Sequence, residues 1–479
     1  MPSDLYVFEP FDLDPDRRQV RRDGEVLPLS PRQFDLLHLL VAHAGQVLSK
    51  DLLVDAAWGG VAVTDNSVEQ AISALRRLLS TPTGAPLIET QARRGYRFAG
   101  AVHRTARRAT DDALEALLAP HRAWTEGRAA LETLEGSRIL HARDVFTRVL
   151  SEVPDQAPVH VGLANALIMG FEMTRSDAAP DRAAVAAALN HAREACRLDP
   201  AYGEAWATLG FVLDRAGAHA DALAAARRAV ALEPDNWRHH VRLAYTSWGE
   251  ERLREAHRTL ALLPGFPLAH WLAATVHVAR QVLDEAERHL RAGMDAEAGM
   301  VAPHGRFSGV ALHWLLGLIL LARGARVEAV REFERELANE TSGHLYAREC
   351  CANTWYALAA VRLADGDRAG ATEALRQAIA RVPAHPLANA VLDVWRAPQA
   401  HPGTHVPAAD APAEALVAAA AQAVVAGAPV RVQQAVAGAL RTAPAGSVLW
   451  WLPVEPLLGV WQDREPWADV LALLRNRAA

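Results

Sequence analysis

The sequence predicts a mostly α-helical protein, with a small α+β domain in its first hundred residues and an all-α array of helical hairpins behind it. Three observations carry this. Short apolar runs broken by turn residues precede Ser30, and three amphipathic segments with start signals lie between Ser30 and Leu79. Further on, the small residues Ala188, Ala222 and Ala256 recur at a spacing of 34.

Four segments open the chain: Tyr6 to Phe8, Phe11 to Asp14, Gln19 to Arg22 and Glu25 to Leu27, parted by Pro10, Asp14-Pro15 and Asp23-Gly24. Asp-Gly between two such runs signals a hairpin, because both central residues of the tight turn take positive φ. A small antiparallel sheet is expected. Ser30-Pro31 then starts a helix as cap and first-turn proline, carrying Phe34, Leu37, Leu40 and Val41 to Gly45. Ser49 caps a second helix with Leu52, Leu53 and Trp58, closed by Gly59-Gly60.

The third helix is expected from about Ser67 to Leu79, capped by Asp65 or Asn66. At about 100° per residue, Val68, Ile72, Leu75 and Leu79 fall within about 60° of one another and face the core. Asn66, Gln70, Ser73 and Arg77 lie opposite, with Arg76 on one flank and Ser67 and Ala74 on the other. Amide, hydroxyl and guanidinium groups on one outer face are the donors and acceptors that read base edges. Leu87 to Thr90 and Tyr96 to Phe98 then pair as strands around Gln91-Ala92-Arg93-Arg94-Gly95, a doubly basic tip suited to a narrow minor groove.

Local charge agrees. From Asn66 to Arg108 eight arginines (Arg76, Arg77, Arg93, Arg94, Arg97, Arg104, Arg107 and Arg108) face only Glu69 and Glu89, inside a chain of net charge −6. Such a stripe is the footprint of a phosphate-facing surface. A solvated charged face is the plainer reading of the same residues.

The ordered set Leu29-Ser30-Pro31, Phe34-Asp35-Leu36-Leu37, Gly45-Gln46-Val47-Leu48-Ser49, Leu52, Trp58, Val68, Ile72, Leu75-Arg76-Arg77 and Thr90 with Arg94-Gly95-Tyr96-Arg97-Phe98 resembles the effector domain of OmpR/PhoB-type regulators. The resemblance covers roughly residues 5 to 100 and implies an N-terminal winged helix-turn-helix fold, its third helix in the major groove and its wing arginine in the minor groove. By position it places Ser67, Gln70, Ser73 and Arg77 at the major groove, and Thr90, Arg93 and Arg94 near the sugar-phosphate and minor groove. Asn66 and Arg76 complete the candidate DNA-binding set. Two departures stand out. Ser73 and Ala74 occupy the middle of the helix, where many relatives carry arginine or histidine, and Ala92 takes the usual wing-arginine position, so that role shifts to Arg93 or Arg94. Receiver-linked members carry a phosphoaccepting domain ahead of the winged helix. Here the winged helix begins at about residue 5, so control is expected from the other end.

After a linker at 105–119, Trp206-x-x-Leu209-Gly210-x-x-Leu213 with Ala222, Ala226, Ala229 and Pro234 has the large and small positions of a tetratricopeptide repeat. The register returns at Trp355, Leu358-Ala359, Ala371, Leu375, Ala378 and Pro383, and more loosely around Leu316-Gly317 and Leu243-Ala244. About seven hairpins are expected between residues 112 and 395, with Met169 to Asp181 as an insertion, forming a tetratricopeptide-repeat superhelix. The array resembles the domain attached to some CadC-like and HilA-like regulators, here without a membrane anchor. Pro398 to Pro412 reads as a loop, and 413–479 as a further hairpin and cap. The domains are thus 1–104, a linker at 105–119, repeats at 120–395, a loop at 396–412 and the C-terminal unit at 413–479.

Composition excludes several classes. Apolar residues at 51% and charged residues at 22% describe a globular chain long enough for roughly three domains. Met1 to Pro10 has no signal-peptide pattern, and the greasiest stretch, Leu312 to Ala322, is about half the ~20 residues of a membrane span. A cytoplasmic protein is expected. Cys196, Cys350 and Cys351 fit neither a disulfide framework nor a zinc site. Lys50 is the only lysine and follows no glycine-rich loop, so a P-loop is absent. Adjacent His239 and His240 point about 100° apart on a helix, poor for one metal. No catalytic, metal or cofactor site is expected, and the protein is read as a non-enzyme.

These readings converge on a one-component, sequence-specific transcriptional regulator, with activation favoured over repression. Its expected partners are double-stranded promoter DNA, RNA polymerase at Gly59 to Asp65, a protein or peptide ligand of the repeats, and further copies of itself on DNA. The alternative is an interaction scaffold whose winged helix serves as a protein contact.

Overall fold

The structure is a computed structural model that describes residues 5–15, 17–58, 65–80, 86–92, 94–104, 111–299, 309–396, 411–444 and 446–479. At 55, 56, 58, 65, 66, 111–120 and 297–299 it describes the backbone alone. The amino-terminal domain runs β1 (Tyr6–Phe8), β2 (Phe11–Asp14), β3 (Gln19–Arg22), β4 (Glu25–Val26), α1 (Pro31–Ala42), β5 (Val47–Leu48), α2 (Lys50–Trp58), α3 (Asp65–Leu78), β6 (Ile88–Gln91), β7 (Gly95–Phe98) and β8 (His103–Arg104).

Strand alternation sends Tyr6, Phe8, Phe11, Leu13 and Val20 to one buried face. The first sheet has the antiparallel order β4-β3-β2-β1-β8, and its β3–β4 turn holds Asp23 at φ 52° and Gly24 at φ 87°, as the Asp-Gly signal requires. The fifth strand, β8, was not foreseen. Arg104 fixes it by donating to the Ala42 carbonyl at 2.8 Å and lying over the Tyr6 ring. Ser30 begins α1 with a reciprocal capping box: Gln33 N donates to Ser30 Oγ, and Ser30 N donates to Gln33 Oε1 at 2.9 Å. Phe34, Leu36, Leu37, Leu40, Leu53, Val68, Ile72, Leu75 and Phe98 close one core between helices and sheets.

The remainder is a tetratricopeptide-like helical array. Among the described residues seven hairpins follow one another: α4 (Asp111–Glu132) with α5 (Gly136–Glu152), α6 (Ala157–Thr174) with α7 (Arg182–Leu198), α8 (Gly203–Arg215) with α9 (His219–Leu232), α10 (Trp237–Thr246) with α11 (Gly249–Leu262), α12 (Pro267–Ala279) with α13 (Leu283–Gly299), α14 (Leu312–Ala322) with α15 (Arg326–Ala338), and α16 (Ala347–Ala364) with α17 (Arg368–Arg381). Ala188, Ala222 and Ala256 are fully buried where helices meet. At Gly210 a Cβ would stand 2.9 Å from the Ala222 carbonyl oxygen, so α8 and α9 touch backbone to backbone. Met169 to Thr174 extends α6, with Phe171 and Glu172 buried along it, and 175–181 lead on to α7.

Two features lay beyond periodicity. The array closes on itself: Gly136 N donates to the Gly343 carbonyl at 3.0 Å and Leu345 N to the Leu134 carbonyl at 2.8 Å. A polar layer reinforces the closure, with Glu172 taking Arg215 at 2.7 Å and the Tyr346 hydroxyl at 2.8 Å, and Arg175 reaching Glu349 at 2.7 Å. At the other end α18 (Pro386–Arg396) packs on α19 (Ala413–Val425), so these two form the pair, while α20 (Gln433–Thr442) packs chiefly on α21 (Ala468–Arg477). The segment between α20 and α21 crosses α12, α14 and α16: Trp450 meets the Trp271 and Trp314 rings edge-on, and Val454 joins the core with Ala357 and Leu358. Among the described residues no helix is long and apolar enough to cross a membrane.

Candidate nucleic-acid interface

α3 is strongly two-sided. Val68, Ile72, Leu75 and Leu79 are buried, while Gln70, Ser73 and Arg77 are exposed and Ser67 and Ala74 half-buried. α2 is set against α3 by Lys50 Nζ, which donates to Glu69 Oε1 at 2.9 Å, and Ser49 Oγ caps α2 by accepting from Leu52 N. The only lysine therefore ties the helix-turn-helix together.

The wing is the β6–β7 hairpin, with Thr90 opposite Tyr96 and Gln91 opposite Gly95. Its turn closes through Arg94 N to the Gln91 carbonyl at 2.9 Å. Gly95 takes φ 127°, and a Cβ there would lie 1.9 Å from the Leu48 carbonyl oxygen. Only glycine fits so close to β5. Arg97 and Glu89, opposite each other on β7 and β6, pair across the hairpin at 2.6 Å.

The predicted residues divide into two groups. Gln70, Ser73 and Arg77 share one exposed face of α3, and Arg94 is exposed at the wing tip. The Arg77 and Arg94 side chains make no hydrogen bond or ion pair with another described residue. Arg76 turns instead to the wing, its Nε donating to the Ile88 carbonyl at 2.9 Å and its Nη2 to Thr90 Oγ1 at 2.7 Å. It holds α3 against the β6–β7 hairpin. The Asn66 side chain and all of Arg93 lie outside the described residues, as do Arg107 and Arg108. Of the basic stripe, Arg76, Arg97 and Arg104 are thus engaged within the domain, and the side chains of Arg77 and Arg94 are left without a partner among the described residues.

Other candidates resolve into structure. Cys196, Cys350 and Cys351 are free and buried, and burial pushes the Cys196 and Cys351 thiols up to about 12. His239 faces Glu233 at 3.2 Å, while His240 faces Glu255 at 2.7 Å, so the neighbouring imidazoles serve different partners.

Comparison with known proteins converges on the same segment. Residues 24–98 match the family model "Transcriptional regulatory protein, C terminal". The transcriptional regulator HilA of Salmonella typhimurium is 37% identical over 93 residues, which are 19% of this chain and 17% of that protein. The transcriptional activator CadC of Escherichia coli is 41% identical over 88 residues, 18% of this chain and 17% of that protein. The chain therefore matches only 17% of the length of either relative. Among solved structures, the RstA DNA-binding domain of Klebsiella pneumoniae in complex with RstA box is 40% identical, with a TM-score of 0.18, over 20% of this chain and 96% of that one. The amino-terminal domain of this chain belongs to the OmpR/PhoB-type family, the DNA-binding domain of transcriptional regulators, and is followed in the same chain by a tetratricopeptide-like helical array.

Proposed function

We propose that the whole chain is a one-component, sequence-specific transcriptional regulator. Gln70, Ser73 and Arg77, with Ser67 beside them, read the major groove, while Arg94 with Arg93 enters the minor groove. Asn66 belongs with the readers on the helix, Thr90 meets the sugar-phosphate, and Arg76 sets the angle between helix and wing. The observation that carries this reading is that Arg77 and Arg94, on two different elements, are both exposed and unengaged by other described residues. An interaction scaffold gives no reason for two unneutralised cations beside an amide and a hydroxyl.

The repeat array supplies the input, taking a protein or peptide partner, and copies of the chain pair on repeated half-sites. The proposed RNA polymerase contact, 59–65, lies outside the described residues but for the backbone of Asp65. That contact makes activation the favoured outcome. Genome-wide mapping of bound DNA tests the reading, with discrete promoter peaks sharing a repeated motif as the expected result. Uniform, motif-free occupancy would reject it.

A further inference from the structure

Within the repeat array, three consecutive helices bring four histidines and a glutamate together. His257 stands on α11, His270 and His277 on α12, and Glu285 and His289 on α13. Residues seven apart on α12 and four apart on α13 each share a helix face, and the two helices are the arms of one hairpin. The register of the hairpin makes these faces meet.

His289 is the centre, 5% exposed. Its Nδ1 lies 3.2 Å from His270 Nδ1, and its Nε2 lies 3.5 Å from His257 Nε2. The His277 ring runs nearly parallel to it, at 18° with centroids 5.5 Å apart. Buried His277 Nδ1 has no hydrogen-bond partner among the described residues, an unfavourable state for a polar atom out of water. A polar ring nitrogen left unmet beside three other imidazoles is a donor that a metal ion can take up.

We propose that His277, Glu285 and His289 bind one divalent transition-metal ion of the zinc type, with His257 and His270 as the nearest further donors. One donor atom from each of the three ligands lies within 4.8 Å of the others. Around a tetrahedral ion with bonds of ~2.0–2.1 Å, donors stand about 3.3 Å apart, so side-chain rotation closing the widest gap by at most about 1.5 Å completes the site. Two imidazoles and a carboxylate suit zinc, cobalt or nickel better than calcium or magnesium. Glu285 also pairs with Arg288 one turn on, which engages one carboxylate oxygen and leaves the second for the ion. The nearby Arg280 is held by the Ala478 carbonyl and Glu250, both at 2.8 Å. A bound ion clips α12 to α13 and makes the pitch of the repeats depend on metal.

The test uses tag-free full-length protein, cleared with a chelator and titrated with cobalt(II) chloride and then zinc chloride. One equivalent of cobalt is expected to bind with visible d–d bands, to be displaced by zinc, and zinc is expected to raise Tm. The double variant His277→Gln with Glu285→Gln, both partly exposed positions, keeps its circular dichroism and binds at least about tenfold more weakly. His289→Gln is the second variant and loses the cobalt bands. No saturable site in the wild type, or equal affinity in all variants, overturns the proposal. If the variants unfold, X-ray absorption on the zinc-loaded wild type decides: a shell containing two imidazoles supports the site, and a shell of water and carboxylate alone rejects it.

Discussion

Arg76 Nη2 donates to Thr90 Oγ1 at 2.7 Å, and the same guanidinium holds the Ile88 carbonyl through Nε, so one side chain couples the recognition helix to the wing. In the proposed reading helix and wing address different grooves, so their relative angle decides whether both engage at once. Arg76→Ala removes both bonds and is expected to destabilise the domain by about 1–2 kcal/mol. DNA affinity should fall on specific and random sequences alike. Urea unfolding and gel shifts check this, and a selective loss on the specific site alone would mean that Arg76 reads a base.

Residues on the outer face should behave otherwise. Gln70→Ala and Arg77→Ala are expected to relax sequence preference at roughly 1–3 kcal/mol each. Arg94→Ala should weaken binding to every sequence and reduce the slope of log K against log salt by about one. Gel shifts over a salt series separate the two classes. An unchanged slope for Arg94→Ala removes the wing from the phosphate contacts.

The wing also depends on one glycine. Gly95→Ala places a methyl 1.9 Å from the Leu48 carbonyl at φ 127°, so β7 must leave β5. A loss of about 3 kcal/mol or more is expected. Thermal unfolding measures it, and a loss below about 1 kcal/mol would show that the hairpin relaxes freely.

What was legible in the sequence was local. The Ser30 cap, the Asp23-Gly24 turn and the buried row Val68, Ile72, Leu75 and Leu79 follow from spacing within a dozen residues. The 34-residue recurrence of small residues exposed the hairpins for the same reason. Arg76 was placed on the flank of α3, but its partner depends on where Thr90 lands after a hairpin. Likewise the histidines on α11, α12 and α13 meet only once three helices are in register, and the Leu134–Leu345 contact joins ends of the array 211 residues apart (345 − 134). Periodicity describes one helix at a time and is silent on such pairings.

Acid should destabilise the fold in a defined window. Burial lowers His38, His344 and His385 to about 4, and His277 and His289 lie at about 4 and 3. Their unfolded value is about 6.5, so between pH 6.5 and 4 the unfolded chain binds protons that the folded chain refuses. Their contribution is complete above pH 6.5 and is lost as pH falls. Glu336 and Glu455, raised by burial, act in the opposite sense but are only two groups. Tm is expected to drop by about 5 °C or more between pH 7.5 and 5. A Tm that rises on acidification would show the carboxyls to dominate.

The carboxyl-terminal segment is held by a buried acid. Glu455 is 3% exposed and accepts from the Tyr356 hydroxyl at 2.7 Å and from the amides of Leu457 and Leu458 at 2.8 and 2.6 Å. Alanine at 455 leaves a buried hydroxyl and two amides unmet, for a loss of about 2–4 kcal/mol. Glutamine keeps a carbonyl acceptor and is uncharged, and burial already raises the Glu455 carboxyl toward its neutral form, so Glu455→Gln should stay within about 1 kcal/mol of the wild type. Limited proteolysis distinguishes local from global failure. Early cleavage between α20 and α21 in Glu455→Ala, with the hairpins intact, is the expected result, because Trp450 and Val454 lose the anchor that holds them on α12, α14 and α16. Equal resistance in both variants would mean that the tryptophan contacts alone suffice to hold the segment.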